Sequence, residues 1–173
     1  NGWASMANTF SAEVLATSGY DSVTVDMQHG LVDFQKSVEM LQTISAYNIT
    51  PMVRVPWNEP SIIMRSLDAG AYGIICPMIN NKDECYKFVS ACRYHPRGNR
   101  SFGPARARIY AGADYLDHAD DTIINFAMIE TKEAVNNLDS ILSVEELDAV
   151  YVGPSDLAIS LGYKPMQEEK EVE

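Results

Sequence analysis

The feature that most limits what this chain can fold into is a repeated alternation. A short apolar, β-branched run is followed by an amphipathic stretch, about six times over. Ser22–Asp26 (SVTVD), Pro51–Val55 (PMVRV), Gly73–Met78 (GIICPM), Ile123–Glu130 (IINFAMIE) and Leu147–Val152 (LDAVYV) read as strands, with Gly2–Ser5 as the stub of an earlier one. Helical spacing marks Phe10–Thr17, Phe34–Ser45 (Val38, Leu41 and Ile44 on one face), Pro60–Asp68, Lys82–Cys92 and Lys132–Leu142. Pro96, Gly98 and Gly103 mark Tyr94–Gly103 as a loop, and the segment from there to about Ala119 reads as mostly helical. The charged end of the chain, rich in glutamate from Glu168, is expected to open a further helix.

Strands apolar on both faces belong in a parallel sheet covered by helices. A doubly wound nucleotide binder would carry G-x-G-x-x-G after an early strand, and the sequence has none. The remaining α/β solution is a (β/α)8 barrel, which needs eight units and roughly 250 residues. The expectation is one barrel domain over residues 1–173, about six βα units of it, truncated at both ends. The opening Asn1-Gly2-Trp3 shows no signal-peptide pattern and reads as a start inside a first structural element.

Lys+Arg number 13 against 24 Asp+Glu, a net charge of −11. That balance argues against a nucleic-acid footprint and against anchoring to anionic lipid, both of which need a basic face. No stretch of about 18 apolar residues offers a membrane span. Cys76, Cys85 and Cys92 form no C-x-x-C pair and read as buried thiols of a cytoplasmic protein.

The polar residues fall at strand ends. Asp26 and His29 follow the second strand, Arg54 lies at the end of the third, Glu130 ends the fifth and Asp156 follows the sixth. In a parallel barrel all these ends share one face, where barrel enzymes place their sites. Glu130 and Asp156 could share a magnesium-like cation, or could simply favour the N-termini of the helices that begin there. His29 reads as a general base, a metal ligand or a structural histidine. Arg54, inside an apolar run, needs an anion, either a substrate carboxylate or an internal acid. Asp68 ends a helix, where negative charge is unfavourable, and so calls for a partner or for solvent. Gly153-Pro154-Ser155-Asp156 is a strand–helix junction whose N–H groups could hold an anion, or an ordinary βα turn.

With these residues in place, the chain resembles the HpcH/HpaI family of class II pyruvate aldolases. The resemblance rests on GYDSVTVDMQHG (19–30), PMVRVPWNEP (51–60), LDAGAYGIICPMI (67–79), HPRGNRSFG (95–103), MIETKEAVNNL (128–138) and VYVGPSDLAISLGY (151–163). It implies a TIM barrel of the phosphoenolpyruvate/pyruvate type and metal-dependent, reversible cleavage of a 4-hydroxy-2-oxo acid to pyruvate and an aldehyde. It further implies a divalent ion (magnesium, manganese or cobalt) on Glu130 and Asp156, and His29 as base, oriented by Asp68. Arg54 would meet the pyruvyl oxygen, and residues Gly153, Pro154, Ser155 and Asp156 would take the pyruvate carboxylate. A small-molecule substrate and a homo-oligomer, trimer or hexamer, complete the implication. Two positions depart from better-known members. Gln28 stands where a Glu often precedes the histidine, and Met128 stands where a Gln often precedes the metal-binding Glu. Two other readings compete: a malyl/citramalyl-CoA lyase, for which the charge offers no obvious coenzyme A surface, and an idle homologue, against which intact His29, Arg54, Glu130 and Asp156 argue.

Overall fold

Strand-forming runs this apolar must be covered on both faces, and the computed structural model, which describes residues 1–165, shows how. Six strands, β1 (Gly2–Ala4), β2 (Ser22–Asp26), β3 (Thr50–Arg54), β4 (Gly73–Cys76), β5 (Ile124–Ile129) and β6 (Ala149–Val152), form one sheet in sequential order. Every neighbouring pair is parallel. Strand alternation sends Val23, Val25, Val53, Ile74, Cys76, Ala127 and Ile129 into a core shared with the helices. The alternate positions Met52, Ile75 and Met128 pack on the other side with Trp3, Phe126 and Tyr151. The rings of Trp3 on β1 and Tyr151 on β6 meet edge to face, centroids 5.8 Å apart. First and last strands therefore approach each other across the inner side, so the sheet curls as a barrel wall does.

The helices are α1 (Thr9–Ala16), α2 (Phe34–Ile44), α3 (Pro60–Asp68), α4 (Lys82–Cys92), α5 (Ala107–Ala111), α6 (Tyr115–Thr122), α7 (Lys132–Asn136), α8 (Leu138–Leu142) and α9 (Pro154–Ser160). Their starts are set by side chains that accept otherwise unpaired N–H groups: Asn8 from Phe10, Asp33 from Lys36, Asn81 from Glu84 and Thr131 from Ala134. The single helix expected over 132–142 is two. Asn137 leaves helical geometry between α7 and α8, and its side-chain amide donates to the Asn80 carbonyl at 2.9 Å. Residues 107–122 are helical as expected, in two pieces around Gly112 (φ 108°). The helix expected near Glu168 lies outside the described residues. All three cysteines are free and buried, and no helix among the described residues is long and apolar enough to cross a membrane.

The face away from the strand ends is held by arginines. Arg93, 1% exposed, donates to Glu146 at 3.2 Å, to the Ile123 carbonyl at 3.0 Å and to Asp148 at 2.6 Å. Asp148 also accepts the Asn125 N–H at 2.8 Å. One guanidinium thus fastens the end of α4 to the entries of β5 and β6. Replacing Arg93 by Ala removes the donor to Asp148 and to the Ile123 carbonyl, while Glu146 keeps its bidentate pair with Arg97, so a loss of about 1–3 kcal/mol is expected. Urea denaturation of the Arg93→Ala variant checks it, against a surface control such as Arg108→Ala, which should change little.

Candidate active site

The end of β2 lies beside the end of β3, and the parallel register sets Asp26 opposite Arg54. Both point to the inner side, two residues beyond Thr24 and Met52 respectively. Arg54 donates Nε to Asp26 Oδ1 at 2.9 Å and Nη2 to Oδ2 at 2.6 Å, a bidentate pair. Asp26 Oδ1 also accepts the backbone N–H groups of Gln28 at 3.1 Å and His29 at 3.2 Å. Burial pushes the Asp26 carboxyl up, but the guanidinium and the two N–H groups outweigh it and hold it below its ordinary value. The Arg54 guanidinium lies over the Trp3 ring, 4.7 Å from its centroid, and its Nη1 has no hydrogen-bond partner among the described residues.

Glu130 follows β5 and is 3% exposed. Its Oε1 accepts the Met78 N–H at 2.7 Å. Met78 holds φ 56° to present that N–H, a left-handed conformation unusual for a side chain with a Cβ. Burial pushes the Glu130 carboxyl above its ordinary value; Asp156 adds to the rise, while the Met78 N–H, Arg54 and His29 oppose it. Gly153 permits the close approach of this carboxylate, because a Cβ there would stand 2.5 Å from Glu130 Oε2.

One cavity of about 260 Å³ brings together His29, Arg54, Met128, Glu130 and the Gly153–Asp156 turn, with Trp3 and Tyr151. The turn offers fewer anion-binding groups than its length implies. The Gly153 N–H donates to the Ile129 carbonyl at 3.1 Å, and Pro154 has no N–H. Ser155 and Asp156 keep N–H groups without partners among the described residues. For a metal ion, the fit is that of a hard cation held by few protein oxygens. Glu130 Oε2 and the exposed Asp156 carboxylate line the cavity, and the described residues gather no cluster of three His, Cys, Asp or Glu. Such a cation keeps its remaining positions for water and substrate oxygens.

Two expected site residues lie outside this cavity. Asp68 does not meet His29. It is the last residue of α3, and a helix that follows a strand in a parallel sheet runs back to the opposite end. There Asp68 Oδ1 accepts from Arg100 Nη2 at 2.9 Å, and that buried guanidinium stacks on Tyr94 at 4.4 Å from the ring centroid. The unfavourable helix end has its partner, but the partner is Arg100. Gln28 sits beside His29, half-buried, with a buried Oε1 that has no hydrogen-bond partner among the described residues. Reading the sequence missed the pairing of Asp26 with Arg54, although an acid closing one strand and a base closing the next was the available signal. It also missed Trp3, Tyr151 and Met78; the positive φ of Met78 has no signature in its side chain.

A parallel, curled α/β sheet with carboxylates, a guanidinium and an imidazole at its C-terminal end has the arrangement of a barrel-type enzyme site. The chain belongs to the HpcH/HpaI aldolase/citrate lyase family, which it matches over residues 2–173. It is 48% identical over 172 residues to a hydroxypyruvate/pyruvate aldolase of Rhizorhabdus wittichii, covering 99% of this chain and 68% of that protein. It is 40% identical over 174 residues to a 4-hydroxy-2-oxo-heptane-1,7-dioate aldolase of Salmonella dublin, covering 99% and 66%. Among solved structures, an HpcH/HpaI aldolase/citrate lyase family protein of Burkholderia cenocepacia J2315 superposes with a TM-score of 0.92 at 32% identity, covering 99% of this chain and 70% of that one. The chain thus spans about two thirds of the length of these relatives.

Replacing Asp26 by Asn tests the pair at the centre of the site. The variant leaves a largely buried guanidinium without its anion, for an expected loss of roughly 3 kcal/mol at neutral pH. Because the Asp26 carboxyl is depressed in the folded state, its stabilisation is present above the unfolded value of about 3.9. It is lost as pH falls through the lower folded value. Denaturation midpoints followed from about pH 5 to pH 2 should show this acid component in the wild type and not in Asp26→Asn.

Proposed function

We propose that the site performs reversible retro-aldol cleavage of a 4-hydroxy-2-oxo acid to pyruvate and an aldehyde, with a divalent metal ion held by Glu130 and Asp156. The observation that carries this reading is the single cavity lined by two carboxylates, a guanidinium, an imidazole and a turn with two free N–H groups. When bound, the ion, magnesium, manganese or cobalt, supplies a Lewis acid against the charge that develops on the 2-oxo group.

The chain's own residues account for the rest. The Ser155 and Asp156 N–H groups receive the substrate carboxylate. His29, exposed at the mouth, takes the proton from the C4 hydroxyl. The C3–C4 bond then breaks, its electron pair passes to the C2 oxygen as an enolate, and the C4 fragment leaves as the aldehyde. Arg54 Nη1 faces the enolate oxygen while Nε and Nη2 are held by Asp26, so the cation is in place before the charge appears. Protonation at C3 gives pyruvate. The three buried thiols support a cytoplasmic setting. The exposed Met6, Leu31 and Trp57 on the connections that follow β1, β2 and β3 support a homo-oligomer.

The test is pyruvate release from a panel of 4-hydroxy-2-oxo acids by the full-length protein, with and without EDTA. Release that stops with EDTA and returns with magnesium or manganese is expected, and His29→Ala should lower turnover by about 10²–10⁴-fold. Turnover indifferent to EDTA would remove the metal from the proposal. Glu130→Gln gives a separate expectation. A carboxyl raised in the folded state costs stability above its folded value, so the metal-free variant should melt at a higher temperature than the wild type at pH 7. It should also lose the rise in melting temperature that the ion gives the wild type.

A further inference from the structure

Asn80 lies in the connection between β4 and α4, and all four of its polar groups are engaged there. Its N–H donates to Glu84 Oε2 at 2.8 Å, and its carbonyl accepts from the Asn137 amide at 2.9 Å. Its side-chain Oδ1 accepts from the Thr131 hydroxyl, and its Nδ2 donates to the Met78 carbonyl at 3.1 Å. The partners fix the orientation of the amide, because a carbonyl only accepts and the nitrogen must therefore face Met78. The Asn80 side chain has no part in capping α4. That task falls to Asn81, whose Oδ1 accepts the Glu84 N–H at 2.9 Å.

Thr131, Asn137 and Glu84 anchor Asn80 from the start of α7, the junction of α7 with α8 and the first turn of α4. What Asn80 holds in turn is Met78. The Met78 N–H and carbonyl belong to the two peptide planes on either side of its Cα. The second plane is fixed at both ends: the Ile79 N–H donates to the Met128 carbonyl at 3.3 Å, and the Met78 oxygen is held by Asn80. The left-handed φ of 56° at Met78 then sets the first plane, whose N–H meets Glu130 Oε1 at 2.7 Å. That is the one hydrogen bond Glu130 makes among the described residues. A side chain with a Cβ keeps such a φ only where its surroundings impose it. Thr131, which follows Glu130 directly, is tied to the same amide.

We propose that Asn80 is a positioning residue for the Glu130 carboxylate. By holding the Met78 carbonyl it keeps the left-handed turn that aims the Met78 N–H at Oε1, and so leaves Oε2 directed to the cavity. The inference rests on the reading of Glu130 as an ion ligand and adds the residue that keeps this ligand in place. A carboxylate with one oxygen fixed presents the other in a single direction. Once freed, it must be ordered by the ion itself, which weakens binding.

Two measurements on the full-length protein test this. Manganese affinity without substrate, read from the paramagnetic resonance of the free ion, should fall about 10-fold in Asn80→Ala. Amide hydrogen exchange in the metal-free protein should speed up at Met78 by roughly 3–10-fold. Exchange at Ile74, within β4, should change only as much as the urea stability of the variant requires. Asn80→Asp keeps an acceptor for Thr131 but cannot donate to the Met78 carbonyl, and should speed up Met78 exchange in the same way. Should Asn80→Ala not fold, Asn80→Asp carries the exchange measurement. A residue serving only the fold would lower the urea midpoint and leave manganese affinity of the folded protein as in the wild type; that result overturns the inference. So does Met78 exchange that merely follows Ile74, or that stays at the wild-type rate in Asn80→Asp. A wild type that binds no manganese would sink the reading of Glu130 as an ion ligand, and the exchange rates would then decide by themselves whether Asn80 holds Met78 against Glu130.

Discussion

The mouth of this sheet depends on one carboxylate. Asp26 accepts two hydrogen bonds from Arg54 and one each from the N–H groups of Gln28 and His29. It therefore fixes a cation on β3 and the course of the chain after β2 at once. The parallel register makes this possible, because it aligns the last residues of the two strands on the same inner face. A guanidinium held by two of its nitrogens loses little further freedom when the third meets a substrate oxygen. In a chain of net charge −11, this arrangement keeps one positive group facing an otherwise acidic cavity.

The same cavity carries the unfavourable features of the molecule. Glu130 is buried, its carboxyl is raised by burial and by Asp156, and Met78 holds a left-handed backbone to reach it. These features oppose folding and hold a buried carboxylate at the wall of the cavity. The opposite face does the reverse. Arg93 joins α4 to β5 and β6. Arg100 is buried against Asp68 and Tyr94. Arg106 donates to the Ala69 carbonyl at 2.6 Å and the Ser45 hydroxyl at 2.6 Å, tying α5 to the ends of α2 and α3. Chemistry and stability are thus divided between the two ends, as the barrel architecture allows.

The sequence by itself determined the elements and their class. The runs at 22–26, 60–68 and 82–92 coincide with β2, α3 and α4, since apolar periodicity, Pro60 and Gly70 act locally. It also determined that His29, Arg54, Glu130 and Asp156 would share one end, because strand direction in a parallel sheet leaves no other arrangement. Only the tertiary structure decided which groups pair. Asp68 was a plausible partner for His29 as an isolated acid, but α3 carries it to the far face and Arg100 takes it. Arg54 is shared between Asp26 and the cavity, an outcome set by strand register and not by the composition of either strand. The turn at 153–156 retains two usable N–H groups out of four residues, because a sheet hydrogen bond takes that of Gly153 and proline has none. Local propensity fixes where a strand or helix lies; which side chains meet follows from packing between segments far apart in the chain, and that is where this site is assembled.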